Sequence, residues 1–245
     1  MAETHFEPVG RLRVQVSPAH KFGTDAFLLA DFAAPRRRDT VCDLGTGCGI
    51  VALCWYRREE TAPARVDCVD IQPAAIGQLT ATLEENAGVL AGRIVPHLAD
   101  LKVLALPAGG YDLVTCNPPY KGAGAGILSE TDSDRLARHE TACTIADIAA
   151  AAARLLKYGG RLCVCQRPER LADVMEALRR AGIEPKRLRF VHQRPDRAPW
   201  LFLLEGRRGG KPFLSVEAPL IVEGADGSFS REMQRIYGLY RPESE

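Results

Sequence analysis

The order of apolar segments predicts an α/β fold: a seven-stranded, mostly parallel sheet with helices on both faces and an antiparallel last strand. Strand-like and helix-like segments alternate from Val41 onward. A glycine-rich turn follows the first of these strands, and a Pro-Pro pair follows the fourth. The last two strands are joined by residues 193–199. Because so short a segment cannot form a helical crossover, we expect those two strands to be antiparallel.

Composition is typical of a globular chain. Its 245 residues are 46% hydrophobic and 26% charged, and the formal net charge is +1. This length can bury one large core, and the balanced charge shows no global bias toward nucleic acid. The N-terminus lacks a basic region followed by an apolar segment, and no apolar run reaches 18 residues. We therefore expect a soluble, cytoplasmic protein.

The cysteines fall mostly within apolar segments and form no CxxC pair. Unpaired cysteine behaves there as a small buried hydrophobe, so neither a disulfide framework nor a metal site is expected. The eight cysteines are Cys42, Cys48, Cys54, Cys68, Cys116, Cys143, Cys163 and Cys165.

Alternation of apolar and polar residues from Val9 to Val16 predicts a short strand with one wet face. Thr24 is a favourable N-cap for an apolar helix that ends before Pro35. The arginines at 36–38 are interpreted as a solvated turn, with a phosphate contact as the alternative.

The glycine turn after the first main strand reads Asp43-x-Gly45-x-Gly47-x-Gly49 and precedes a helix. A strand, a glycine turn and a helix bring the backbone close to a nucleotide-like ligand. A dinucleotide fingerprint requires glycine where Ile50 stands, so the spacing fits a methyl-donor turn better than a pyrophosphate cradle. The alternative is a glycine-rich turn without a ligand.

Acidic residues end the next two strands. Asp70 closes the second strand, where the two oxygens of a carboxylate match the two hydroxyls of a ribose. A helix is predicted from Pro73 to about Asn86, with Gly88 as its stop. Asp100 follows a strand at residues 95–98. Its carboxylate can accept a hydrogen bond from the amino group of an adenine, or it can cap a helix.

The segment Tyr111 to Tyr120 ends a strand with Asn117-Pro118-Pro119-Tyr120. The Pro-Pro pair must end the strand and stiffens the chain on either side of it. The Asn117 side-chain oxygen and the Pro118 carbonyl can each accept one hydrogen of a planar NH2 group, while the Tyr120 ring stacks on its flat face. The alternative interpretation is a stiff turn with a capping asparagine.

Further elements complete the predicted sheet. Residues 121–144 form a long loop that we expect to cover the substrate, and within it Arg138-His139-Glu140 is a charged-contact candidate or a solvated helix turn. The remaining predictions are a helix from Thr144 through Leu156, a strand at 161–166, a helix at 168–181, strands at 188–192 and 200–205, and a C-terminal strand pair around 214–222 before a basic tail.

Basic residues are concentrated in one region despite the neutral total. Residues 179–211 contain ten Lys or Arg against three Asp or Glu, interleaved with aromatic side chains. Such an edge can bind phosphates and steer a nucleic acid; the alternative is ordinary wet faces of a helix and two strands. The RNA-contact candidates are Lys186, Arg187, Arg189, Arg194 and Arg197.

The glycine turn, Asp70, Asp100 and the Asn-Pro-Pro-Tyr arm, in this order, resemble a class I S-adenosylmethionine-dependent methyltransferase of amino groups, with its Rossmann-like fold. The runs at 21–30, 137–140 and 187–192 are similar to those of the bacterial valine-tRNA adenosine-37 N6-methyltransferase family. The resemblance covers almost the whole chain. It implies S-adenosylmethionine as cofactor, a tRNA as partner, and neither a metal nor a membrane; a monomer is favoured.

The resemblance also implies individual roles. Asp43 and the glycine turn, including Thr46, surround the methionine part of the donor; Asp70 holds the ribose, Ile71 packs on the adenine and Asp100 faces its amino group. The arm residues orient the acceptor, and a closing segment covers the donor from the N-terminal side. That segment contains Phe22, Thr24 and Asp25. Because the sequence shows no internal repeat and no linker, we expect one domain over 1–245, with 1–39 closing the donor site, 40–206 as the core and 207–245 as a strand pair and tail.

Several other functions remain open. A protein glutamine methyltransferase acting on a release factor carries the same arm, but it usually has a separate helical N-terminal domain. DNA or ribosomal RNA adenine-N6 methylation is a further alternative. A non-catalytic RNA- or donor-binding module is disfavoured by the intact arm, and a nicotinamide dehydrogenase is disfavoured by Ile50.

Overall fold

The computed structural model describes residues 4–18, 20–118 and 143–238. The strands in this part of the chain are β1 His5–Val9, β2 Leu12–Val16, β3 Thr40–Leu44, β4 Arg65–Asp70, β5 Ile94–Leu98, β6 Tyr111–Cys116, β7 Leu156–Gln166, β8 Ile183–His192, β9 Pro199–Arg208, β10 Ser215–Val216 and β11 Leu220–Ile221. The α-helices are α1 Thr24–Ala33, α2 Ile50–Tyr56, α3 Pro73–Glu85, α4 Ala87–Leu90, α5 Ile145–Leu155, α6 Leu171–Arg180 and α7 Arg231–Tyr237. Single 3-10 turns occur at Glu59–Thr61, Leu101–Val103 and Pro168–Arg170.

The main sheet has its long strands in the order β8-β9-β7-β6-β3-β4-β5. The pairs from β7 to β5 are parallel, whereas β9 runs antiparallel to both of its neighbours. This arrangement confirms the predicted mostly parallel sheet and the antiparallel last strand. Its two faces carry separate apolar cores, one beneath α1, α2 and α3 and the other beneath α5 and α6.

The N-terminal prediction needs correction. The segment 9–16 is not one strand: it contains the last residue of β1, a turn at Gly10, where φ is +65°, and β2, which pairs antiparallel with β1 as a hairpin. Val9 and Val14 face the core as expected. Helix α1 begins at Thr24, and its N-cap is Gly23.

Several boundaries also differ from the predictions. Helix α3 stops at Glu85, and Gly88 lies inside the separate turn α4. Thr144 caps α5 as expected, through a capping box with Asp147, but the helix ends before Leu156, which belongs to β7 and pairs with Tyr111. Strands β8 and β9 are longer than predicted because their pairing with each other continues through residues with polar side chains.

The prediction of a C-terminal strand pair was wrong. β10 and β11 do not pair with each other, and each instead adds in parallel to β8, so that the sheet extends to nine strands. The basic tail contains α7, which buries Met233 and Ile236 in the apolar core beneath α1, α2 and α3. Amphipathic spacing in so short a helix is a weak sequence signal, which explains the omission.

The sheet places the ends of β3, β4, β5 and β6 along one edge. Leu44 pairs with Cys116 on one side and Val69 on the other, so the segments after these strands emerge together. Open α/β sheets bind ligands at this edge. Within the described ranges, no helix combines the length and apolar character needed to cross a membrane.

Candidate active site

A cavity of about 400 Å³ opens at this edge of the sheet. Its volume falls within the range of small-molecule sites. Seven of the sequence-predicted site residues line it: Gly45, Gly47, Asp70, Ile71, Asp100, Asn117 and Pro118. The structure thus brings together residues from four strand ends that lie up to 73 positions apart in the chain.

The glycine turn forms one wall of the cavity. Gly45 and Gly47 have φ of +67° and +56°, a backbone conformation that residues with a side chain rarely adopt. A Cβ at either position would meet no protein atom within 4 Å, and both glycines line the cavity. Bare backbone is therefore presented to whatever the cavity holds, as close approach of a methyl donor requires.

Asp70 ties two turns together at the end of β4. Its Oδ2 accepts a 2.8 Å hydrogen bond from the Gly47 amide, and its Oδ1 accepts a 2.9 Å bond from the Gln72 amide. Each carboxylate oxygen retains acceptor capacity after one such bond. The carboxylate is held rigidly and can also accept the hydroxyls of a ribose.

Asp43, Thr46 and Gly49 lie behind the wall formed by Gly45 and Gly47. The Asp43 carboxylate accepts hydrogen bonds from the hydroxyl of Thr46 at 2.7 Å and from that of Thr115 at 2.6 Å. Burial raises its pKa to about 6, an effect that the two hydroxyls partly oppose and Asp70 reinforces. Asp43 therefore supports the glycine turn from below.

Ile71 and Asp100 also line the cavity. Ile71 is 48% exposed and lies beside Asp70, where an aliphatic side chain can pack on a flat ring. Asp100 Oδ1 accepts a 2.9 Å hydrogen bond from the Lys102 amide. Asp100 thus caps the turn at Leu101–Val103 and also lines the cavity, while its contact with an adenine stays a prediction.

The arm begins inside the cavity. Asn117 and Pro118 line it, whereas Pro119, Tyr120 and the charged Arg138-His139-Glu140 stretch lie outside the described residues. The Asn117 amide donates from Nδ2 to Asp25 Oδ2 at 2.8 Å. The Cys165 thiol contacts Asn117 Oδ1 at 3.0 Å.

Two thiols also line the cavity. Burial raises the pKa of Cys116 well above its usual value and that of Cys143 to about 11, so both stay protonated at neutral pH. Seven of the eight cysteines are buried and Cys143 is half-buried, which confirms the main expectation for these residues. Across the described ranges, no cluster of three His, Cys, Asp or Glu could hold a metal ion.

The segment before α1 approaches the site but differs in detail from the prediction. His20 and Lys21 line the cavity, whereas Phe22 packs edge-on against the Phe27 ring at a centroid distance of 5.7 Å. Thr24 accepts a hydrogen bond from Tyr237. The two basic lining residues were missed, together with Ile148 of α5, because only tertiary packing brings these residues to the strand ends.

The predicted RNA-contact residues are mostly engaged within the protein. The Lys186 ammonium donates to the carbonyls of residues 211, 212 and 213. Arg187 lies over the Phe32 ring and pairs with Glu217, and Arg189 forms a two-pronged ion pair with Glu232. Each of these three side chains has partners within the protein, which the sequence alone could not show, and their contact with RNA stays a prediction.

Arg194 and Arg197 are placed differently. They belong to the loop between β8 and β9, where Arg194 pairs with Glu223 and the Arg197 side chain is 70% exposed. β9 pairs with the last residue of β7, and β7 pairs with Cys116 of β6. This loop therefore lies at the same end of the sheet as Asn117.

The fold, the glycine turn and the acidic strand ends define a class I S-adenosylmethionine-dependent methyltransferase. The family model "Methyltransferase small domain" matches residues 21–181, well over half of the chain. A solved structure titled as a predicted O-methyltransferase from Agrobacterium tumefaciens is 22% identical with a TM-score of 0.72, covering 91% of this chain and 99% of the other. That likeness concerns the fold.

Curated relatives give a narrower result. The tRNA1(Val) (adenine(37)-N6)-methyltransferase of Parabacteroides distasonis is 30% identical over 190 residues, which span 76% of each chain. The protein of the same name from Serratia proteamaculans is 30% identical over 221 residues, or 89% of this chain and 82% of the relative. The chain belongs to this tRNA1(Val) (adenine(37)-N6)-methyltransferase family within the methyltransferase small domain family.

Proposed function

We propose that this enzyme transfers the methyl group of S-adenosylmethionine to the exocyclic N6 of adenosine 37 in a valine tRNA. One observation carries the proposal: Asn117 and Pro118 line the same cavity as Gly45, Gly47 and Asp70. An amide and a carbonyl acceptor thereby share one chamber with the glycine turn. The substrate named for the relatives, an adenine amine in a tRNA, is a planar NH2 group that suits two such acceptors.

The chemistry depends on positioning. S-adenosylmethionine supplies an electrophilic methyl group on a sulfonium sulfur. The adenine N6 lone pair is delocalised into the ring, so Asn117 Oδ1 and the Pro118 carbonyl act by accepting the two N6 hydrogens and aiming the nitrogen. Alignment of this kind lowers a barrier by as much as about 7–11 kcal/mol. The N–C bond would form as the C–S bond breaks, with the bonding electrons staying on sulfur to leave S-adenosylhomocysteine, and the methylated nitrogen would then lose one hydrogen as a proton to water.

The base must leave its stack to reach this cavity. Unstacking costs a few kcal/mol, and stacking on an aromatic ring recovers about 1–3 kcal/mol. Tyr120 remains the candidate for that ring from its position in the sequence. For the tRNA backbone we propose Arg194 and Arg197, together with Lys21 at the cavity, as contacts on the same end of the sheet.

The test is incubation with labelled S-adenosylmethionine and parallel samples of total tRNA, ribosomal RNA, DNA and release factors. The labelled product is digested to its nucleoside or amino acid, and labelled tRNA is fractionated by isoacceptor. We expect N6-methyladenosine in valine tRNA, and loss of it in a tRNA that carries guanosine at position 37. Asn117→Ala should bind S-adenosylmethionine with nearly unchanged affinity and abolish transfer.

Other labelled products would overturn this assignment. Label in glutamine would identify a protein glutamine methyltransferase, and label in ribosomal RNA or DNA would move the acceptor to those polymers. No transfer to any of the four, with S-adenosylmethionine bound, would favour a non-catalytic module. Unchanged turnover of Asn117→Ala would remove the role of the arm.

A further inference from the structure

The side chain of Asn117 is held on both of its polar atoms. Nδ2 donates to Asp25 Oδ2 at 2.8 Å, and the Cys165 thiol donates to Oδ1 at 3.0 Å. Asp25 lies in the first turn of α1, and Cys165 lies in β7, so the two contacts come from separate elements on either side of the arm.

These contacts fix which end of the amide faces which neighbour. The oxygen and nitrogen ends of an asparagine have the same shape but opposite hydrogen-bonding roles. A carboxylate only accepts, so a flipped Asn117 would set its oxygen against the Asp25 oxygen and leave its NH2 group only the weakly accepting sulfur of Cys165. The observed orientation satisfies both neighbours, whereas the flipped one loses the bond to the carboxylate.

We propose that Asp25 and Cys165 are positioning residues that keep Asn117 Oδ1, and not Nδ2, available to the acceptor amine. This rests on the proposed function, in which Oδ1 accepts a hydrogen of the methylated nitrogen. A flipped amide would place a donor against that amine and repel it. The carboxylate also polarises the amide through a charge-assisted bond, which strengthens Oδ1 as an acceptor.

The local backbone is adapted to this role. Gly23, directly before α1, has an extended φ of −118° that any residue can adopt. A Cβ at Gly23 would nevertheless lie only 2.6 Å from Asp25 Oδ1. The glycine therefore leaves space for the carboxylate that meets Asn117, and Gly23→Ala should displace the carboxylate without touching the cavity.

The experiment compares kcat, KM for RNA and S-adenosylmethionine affinity for five variants against the parent protein. Asp25→Ala and Gly23→Ala should lower kcat by about 100-fold, the size expected when a catalytic group is misplaced by about 1 Å. Cofactor affinity and KM should stay within about twofold. Asp25→Asn should recover a large part of the rate, because its amide oxygen can still accept the Asn117 hydrogen. The kcat of Cys165→Ser should likewise be higher than that of Cys165→Ala, because the serine hydroxyl can still donate a hydrogen bond to Asn117 Oδ1.

Asp31→Asn is the matched control. It alters a carboxylate on the same helix that pairs with Arg235 rather than with Asn117, so kcat should not change. Thermal unfolding of each variant separates loss of fold from loss of rate.

Three outcomes overturn the inference: a kcat of Asp25→Ala within twofold of the parent, a lost cofactor affinity in that variant, or an Asp25→Asn as slow as Asp25→Ala. Lost cofactor affinity would instead make Asp25 a donor-binding residue. Failure of the proposed function is a separate result, because the parent protein then methylates a different acceptor and the same kcat comparison is made with that acceptor.

Discussion

The carboxylate of Asp43 accepts a 2.6 Å hydrogen bond from the hydroxyl of Thr115, across the pair of strands that carries the glycine turn and the asparagine arm. Asp43 and Thr115 face each other in the register of β3 and β6, and both are buried. The carboxylate of Asp43 therefore connects the strand before the glycine turn to the strand before the Asn-Pro-Pro-Tyr arm. Its negative charge is costly to bury.

The first prediction concerns stability against pH. The pKa of Asp43 rises from 3.8 to about 6 on folding, so the folded state binds more protons than the unfolded state between those values. The free energy of unfolding should therefore fall as pH rises from 4 to 7, by about 2 kcal/mol from this group. Asp43→Asn should lose that component, and urea unfolding at both pH values measures it. Asp173→Asn, at an exposed carboxylate, should leave the pH profile unchanged; a profile shared by parent and Asp43→Asn would contradict the prediction.

The second prediction couples this carboxylate to the cofactor. A sulfonium bound against Gly45 and Gly47 should favour ionised Asp43 and lower its pKa, since opposite charges attract in a buried site. Affinity for S-adenosylmethionine should then rise about tenfold between pH 5 and pH 7 relative to S-adenosylhomocysteine, which lacks the charge. Calorimetry with both ligands measures the ratio. Equal pH dependence for the two ligands would argue against the coupling.

The third prediction contrasts two glycines. Gly77 lies exposed inside α3, and a Cβ there would meet no protein atom within 4 Å, so Gly77→Ala should raise the free energy of unfolding by about 0.5–1 kcal/mol. Gly49 has a φ of +83°, and its Cβ would lie 2.5 Å from Leu79 Cδ1. Gly49→Ala should therefore lower stability by about 2 kcal/mol. Urea unfolding of the two variants measures both changes. Equal changes in the free energy of unfolding for Gly77→Ala and Gly49→Ala would contradict the prediction.

The fourth prediction concerns Arg189 and Glu232, whose two hydrogen bonds are both 2.8 Å long. Arg189→Glu should lower the free energy of unfolding by about 2 kcal/mol, because two carboxylates then meet in a partly buried site. Adding Glu232→Arg restores opposite charges and should recover at least half of the loss. A double variant no more stable than Arg189→Glu would show that the pair contributes little.

The fifth prediction concerns the loop between β8 and β9. Reversing Arg194 and Arg197 to Glu should weaken RNA binding and reduce the slope of log affinity against log salt by about 1.5, since each lost phosphate contact removes about 0.7–0.9. The control is Arg179→Glu. Arg179 lies in the last turn of α6 and pairs with Glu184, which is near the start of β8 and so at the opposite end of that strand from the loop. Filter binding at several salt concentrations measures the slopes. Similar slopes for the parent protein and the Arg194, Arg197 double variant would exclude this loop as an RNA contact.

The sequence predicted those parts of the site that lie directly after strands. Gly45, Asp70, Asp100 and Asn117 each follow an apolar run or end one, and parallel strands bring such ends to one edge. The partners of the basic residues could not be predicted, since Arg187 and Arg189 alternate with apolar residues as solvent-exposed residues do. Composition cannot show that acidic partners at Glu217 and Glu232 meet them.

By itself, the sequence determined the class of fold, the donor turn and the asparagine arm, because each depends on residues close together in the chain and on strand ends that local pattern reveals. Tertiary structure alone decided which neighbours hold the Asn117 amide and which arginines face inward. Asp25 lies 92 residues from Asn117, and Glu232 lies 43 residues from Arg189. No local preference encodes such a meeting, since it results from packing helices on both faces of the finished sheet.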